Sequence, residues 1–139
     1  MELQPLETAM LALAKGDFSI RLPEDDPETA TFAKAYNAHV EQMTAMHAEI
    51  NRVSEEMGTL GWFGCQAEVP ALEGTWKDMT DNVNVAARNL TIQVRAASMV
   101  IEKKLNGETC RLTLEAQGET QKLFDHINRI EERQQPAAV

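Results

Sequence analysis

Helix breakers are scarce in this chain and unevenly placed. Only seven Gly and five Pro occur in 139 residues, and ten of those twelve fall in three windows, 16–27, 58–74 and 107–118. Residues 28–57 and 75–106 contain neither, leaving two runs that are each roughly 45 Å long at helical rise. Helices of that length do not fold back inside a single compact globule of this size. Positive charge is also short, with 13 Lys and Arg against 22 Asp and Glu and a net charge of −9. That balance repels phosphate, so general binding to nucleic acid or to an anionic membrane is excluded and only a local basic patch remains open. Two cysteines, Cys65 and Cys110, do not make the disulfide framework of a small secreted domain, which points to a reducing cytoplasm. Long apolar runs are missing as well. Uncharged stretches such as Gly58 to Ala67 fall well short of the ~20 residues a membrane span requires. The first residues, Met-Glu-Leu-Gln-Pro, have no basic region ahead of an apolar core, so no secretory signal is expected.

What is present is periodic. Leu3, Leu6, Met10 and Leu13 predict a short amphipathic helix that ends at Lys15-Gly16, a basic residue followed by a C-terminal glycine. Phe18, Ile20 and Leu22 then alternate with polar residues, the pattern of an extended connector that buries one side. Asp26-Pro27-Glu28 supplies a cap, a first-turn proline and an acid facing the helix dipole, which predicts a helix start at Glu28. Along that helix Phe32, Tyr36, Val40, Met43, Met46, Ile50, Val53, Met57 and Leu60 are spaced 4, 4, 3, 3, 4, 3, 4 and 3 apart. This is close to the 3.5-residue period of a coiled-coil seam, and a seam implies a partner helix. After a second connector with Cys65, Ala67 and Val69 alternating, Thr75-Trp-Lys-Asp78 resembles a capping box. The next helix carries Trp76, Met79, Val83, Ala86, Leu90, Val94, Ala97 and Ile101, with a stutter between Leu90 and Val94 that locally unwinds a supercoil. A third connector alternates Cys110, Leu112 and Leu114, and Gly118-Glu119 opens a last helix bearing Thr120, Leu123, Ile127 and Ile130.

These elements repeat. Gly16 and Gly107 precede Asn37 and Asn128 by 21 residues each, and Gly61 precedes Asn84 by 23. The chain therefore reads as three units of about 45 residues, each a helix, a glycine-started connector and a second helix that continues into the next unit.

At this point the residues carry a resemblance. The segment from Gly61-Trp-Phe-Gly64 through Glu73-Gly-Thr-Trp-Lys-Asp78 to Arg95 resembles the repeated HAMP modules of cytoplasmic hybrid histidine kinases, notably the fungal osmosensing type and its bacterial relatives. Gly107-Glu-Thr109, Gly118-Glu119 and Phe124-Asp-His-Ile-Asn128 fit the general HAMP pattern. The resemblance covers residues 3–46, 47–92 and 93–134 as three modules, the second of the divergent type, with 135–139 as a disordered tail. It implies an all-α fold, an elongated parallel homodimeric four-helix coiled coil with helix-connector-helix modules and the connectors packed outside. Gly16, Gly61 and Gly107 become connector glycines, and Phe18, Ile20, Leu22, Val69, Leu112 and Leu114 the connector packing residues. Glu28, Thr75 and Glu119 mark second-helix starts. The bundle seam comprises Phe32, Val40, Ile50, Val53, Met79, Val83, Leu90, Val94, Ile101 and Ile127. There are departures. Asp26-Pro27-Glu28 and Glu73-Gly74-Thr75 replace the usual Gly-Glu pair, and Thr109 stands where an apolar residue is usual, so the third connector is expected to be held less firmly.

No constellation for catalysis or metal binding accompanies this pattern. His39 and His47 are eight residues apart, about 12 Å along a helix and too far to share an ion. No histidine precedes the Glu-Arg/Lys-Thr-Pro pattern of a kinase phosphoacceptor. Gly58, Gly61 and Gly64 lack the Gly-Lys-Ser/Thr ending of a phosphate loop and read as a turn. Trp62 and Trp76 read as core packing, Asp78 and Asp81 as surface charge patterning, and the two cysteines as packed connector residues away from positive clusters. The expected function is a cytoplasmic signal relay between covalently linked input and output domains. It is expected to be no enzyme and to use no cofactor, metal, nucleic acid or direct membrane insertion, its partner being a second copy of itself. A static coiled-coil spacer is the competing reading, and it predicts uninterrupted, Leu-rich heptads instead of stutters and soft Met and Ala seams.

Overall fold

A computed structural model describes residues 3–134; the tail expected at 135–139 lies outside them. Over the described residues the protein is all-α. Its helices are α1 (Leu3–Ala14), α2 (Ala30–Gly58), α3 (Gly74–Leu105) and α4 (Gly118–Gln134). Three irregular connectors join them, and no described helix is long and apolar enough to cross a membrane.

The helix ends follow from glycine. Gly16 and Gly107 adopt φ of +78° and +82°, a left-handed conformation that costs a residue with a Cβ about 1 kcal/mol or more. In each case two turn hydrogen bonds close the helix behind the glycine. The Asp17 N–H reaches the Ala12 carbonyl at 2.9 Å and the Gly16 N–H reaches Leu13 at 3.0 Å, while Glu108 and Gly107 bond Lys103 and Lys104 at 2.9 and 3.0 Å. This is the Schellman arrangement, and it satisfies carbonyls that the helix leaves orphaned.

Two predicted helix starts shift. Helix α2 begins at Ala30 rather than Glu28, because Asp26 organises a turn ahead of the helix. Its carboxylate accepts the Glu28 N–H and the Thr29 hydroxyl at 3.0 Å each. Helix α3 begins at Gly74, one residue before Thr75. The Lys77 N–H bonds the Glu73 carbonyl at 3.5 Å, so Thr75 lies inside the first turn, and no capping bond joins it to Asp78. Glu119 does occupy the first turn of α4.

The chain divides into two compact units, Met1–Asn84 and Val85–Val139. In the first, Ala9 of α1 packs with Leu22 of the first connector and with Ala33, Tyr36 and Val40 of α2. The buried Tyr36 hydroxyl donates to the Ala9 carbonyl at 3.0 Å and fixes α1 against α2. Further along α2, Met43 and Met46 pack with Leu72 of the second connector, and Phe18 touches both clusters. In the second unit Ala97 and Val100 of α3 enclose Leu112 together with Phe124 and Ile127 of α4.

Candidate functional site

In each predicted repeat an asparagine grips its connector. The Asn37 side-chain oxygen accepts the Leu22 N–H at 2.8 Å and its amide nitrogen donates to the Leu22 carbonyl at 2.9 Å. Asn84 does the same to Ala67 at 2.7 and 2.9 Å. Asn128 does so to Leu112 at 2.8 and 3.1 Å. A primary amide presents an acceptor and a donor side by side in one plane, so it pairs with both polar groups of one residue as a neighbouring strand would. The gripped residues are themselves buried: Leu22, Ala67 and Leu112 all have side chains in the interior. Polar grip and apolar anchor therefore act at the same residue.

Connector packing follows the predicted alternation with one exception. Phe18, Ile20 and Leu22 join the first cluster, Val69 the Met43–Met46 cluster, and Leu112 the cluster of the second unit. Leu114 does not join. The backbone bends at this residue and leaves its side chain 39% exposed, while Cys110 and Ala116 pack instead. Leu72 is buried in the second connector although the alternation pattern stops before it.

The seam divides. On α2, Val40 and Val53 are buried and Ile50 half-buried within the chain, because α1 and both flanking connectors pack on this helix. Phe32 lies outside that cover. On α3 the buried positions are Thr80, Ala87, Thr91, Ala97, Val100 and Lys104. Apart from Ala97 they are not the predicted seam, and most sit one residue beyond it, a turn of about 100° around the axis. Thr80 and Thr91 are tolerated inside because each hydroxyl donates to the carbonyl four residues back, at 3.2 and 2.7 Å. Phe32, Met79, Leu90, Val94 and Ile101 are 38–47% exposed, and Val83 is half-buried. Helix α4 behaves alike: Phe124 and Ile127 face inward, whereas Leu123 and Ile130 stay outside.

The middle connector has further holds that the sequence did not single out. Glu49 and Arg52 of α2 form an ion pair at 2.8 Å that extends to Glu56 at 3.1 Å. The Arg52 guanidinium also donates to the Gln66 carbonyl at 2.6 Å, and the Glu68 N–H donates to Glu49 at 2.9 Å. Hydrogen bonding from Arg52, reinforced by the Glu68 N–H, holds the Glu49 carboxyl at about 2. Gln42 donates to the carbonyl of Ala71, a residue at φ +63°, at 3.1 Å. The sequence signal for these residues is their position on α2 at i, i+3 and i+7, facing a connector that the alternation pattern had already placed.

No reactive constellation forms. Among the described residues no group of three or more His, Cys, Asp and Glu side chains is placed to hold a metal ion. His47 pairs with Asn51 at 2.9 Å, and the His39 ring lies 6.0 Å from that of Trp76. The tryptophans depart from the core role expected of them. Trp62, projecting just beyond the end of α2, is 65% exposed, and Trp76 on the first turn of α3 is exposed too. Desolvation and the nearby Glu56 carboxylate push the Cys65 thiol up, away from the thiolate. A cleft of about 250 Å³ opens between the second connector and α3. Its polar lining is already engaged: Lys77 pairs with Asp81, Thr80 bonds Trp76, and Asn84 holds Ala67.

Compared with known proteins, the chain matches no protein-family model and no solved structure.

Proposed function

We propose that this chain is a signal relay: three HAMP-like modules that act as a parallel homodimer and pass a displacement between an input domain and a kinase or receptor output. The observation that carries the reading is the double apolar face of α3. One face is used inside the chain, while Met79, Leu90, Val94 and Ile101 repeat at heptad-related spacing on a face the chain leaves exposed. A heptad-spaced apolar stripe is the seam of a coiled coil, and in a parallel homodimer the same stripe of the second copy covers it. The asparagine grips support the module reading, because a connector tied to its helix at both polar groups of one residue has to move with that helix. Soft seam residues such as Met43, Met46, Ala86 and Ala97 specify packing weakly, which favours two packings separated by a few kcal/mol. No enzyme activity, cofactor or metal is part of this proposal, and a cytoplasmic setting is.

The test is to drive the input end. The chain is fused at its N-terminus to a dimeric coiled coil in two registers, and single cysteines at Leu90, Val94 and Ile101 are oxidised, with Cys65 and Cys110 replaced by Ser. A relay gives different crosslinking patterns in the two registers. Identical patterns support the static spacer instead.

A further inference from the structure

The three connectors are not held alike. In the middle one, four successive polar groups of the backbone are taken by side chains from two different helices. The Ala67 N–H and carbonyl face Asn84 on α3, at 2.7 and 2.9 Å. The groups on either side face the other way: the Gln66 carbonyl meets Arg52 at 2.6 Å and the Glu68 N–H meets Glu49 at 2.9 Å, both on α2. Alternate peptide groups pointing to opposite sides is the geometry of a strand inside a sheet, here with side chains standing where neighbouring strands would be. The first connector lacks the second edge for a covalent reason. The residue after Leu22 is Pro23, which has no N–H to offer a carboxylate. In the third, the positions that precede the connector glycine as Glu49 and Arg52 precede Gly61 are Arg95 and Ser98, so the carboxylate is missing. Asn128 grips Leu112 there as Asn37 grips Leu22.

We infer that Glu49 and Arg52 make the middle connector a two-edged strap that locks α2 to the first turns of α3, an arrangement that Pro23 denies to the first connector and that lacks its carboxylate in the third. The middle connector is then a fixed joint between α2 and α3. Arg52 and Glu49 act as positioning residues: they touch connector backbone, each other and Glu56. The consequence for signalling rests on the relay reading above, since a fixed joint passes a displacement of α2 to α3 without absorbing it. The strap itself does not depend on that reading.

Amide hydrogen exchange on the full 139-residue chain reads the strap directly. In the unaltered protein, the Glu68 N–H is expected to be at least tenfold better protected, relative to its intrinsic rate, than the N–H of Thr113, the residue after Leu112 and the counterpart of Glu68. Glu49→Gln and Arg52→Met, which keeps an unbranched apolar stem and the helix propensity of Arg, each raise Glu68 exchange about tenfold and leave the Leu22 and Leu112 amides within threefold. Glu56→Gln, which leaves the Glu49–Arg52–connector bonds intact, changes Glu68 exchange less than threefold. Equal protection of Glu68 and Thr113 in the unaltered chain overturns the proposal, and it needs no variant that has to fold. A parallel rise at Leu22, Leu112 and Glu68 in both variants also overturns it, because that marks general loosening. Failure of the register-driven crosslinking test with these exchange results intact discards the relay and keeps the strap.

Discussion

Replacing Gly16 with Ala is expected to cost about 1 kcal/mol, because its φ of +78° is strained for any residue with a Cβ. The space around it is open, so the whole cost is backbone conformation. Gly58 closes α2 without a left-handed φ and also has open space, so Gly58→Ala gains about 0.5 kcal/mol by restricting the unfolded chain. Urea midpoints of the two variants at one protein concentration check the opposite signs; a loss for both contradicts the account. Asn84→Ala is expected to cost about 2 kcal/mol in the same assay, since it leaves both polar groups of the buried Ala67 without their partner. Asn84→Asp does not restore it, because a carboxylate cannot donate to the Ala67 carbonyl. A cost under about 0.5 kcal/mol for Asn84→Ala would mean that water replaces the amide and that the connector is not held by it. The asparagines were legible in the sequence as landmarks, through their recurrence 21 or 23 residues after a connector glycine. Their role was not, because the Asn37 side chain meets a backbone 15 positions away and nothing local in the sequence encodes that meeting.

At the scale of elements, Glu49 gives a pH dependence with a definite sign. Its carboxyl titrates at about 2 in the folded protein against 4.5 ordinarily, through Arg52 first and the Glu68 N–H second. A folded value below the unfolded one means that the strap's contribution is fully present above pH 4.5 and is lost as the pH falls toward 2. Carbon-detected titration of the Glu49 carboxyl should give a midpoint near 2 that returns toward 4.5 in Arg52→Met; a midpoint of 4.5 in the unaltered chain contradicts the ion pair. The helices themselves were readable, since the two breaker-free runs became α2 and α3 with ends within a few residues of those expected. The starts were less so. Asp26 spends its carboxylate on a preceding turn and Gly74 enters the helix itself, choices that capping preferences leave open. Periodicity also detected one apolar face per helix where α3 and α4 have two. Thr80, Ala87 and Thr91 are too polar or too small to register as apolar, yet the chain packs them inward. Leu114 failed for the converse reason, since alternation assumes an unbent connector and the backbone bends there.

At the scale of the molecule, the account turns on the second face of α3. A monomer that exposes Met79, Leu90, Val94 and Ile101 in a heptad-related row carries a stripe that association would remove from water, at roughly 25 cal/mol per Å² of apolar surface. The relay proposal, the competing spacer and the expected homodimer all assign that stripe to a second copy, and only the relay adds bistability. The measurement that reaches the central claim most directly is the solution mass of the chain by light scattering, over a hundredfold range of concentration and with Leu90→Glu alongside. The prediction is twice the 15.5 kDa of one chain, with Leu90→Glu falling back to a single copy while its helical circular dichroism persists. A mass of 15.5 kDa for the unaltered chain at every concentration would contradict the four-helix bundle and the relay built on it.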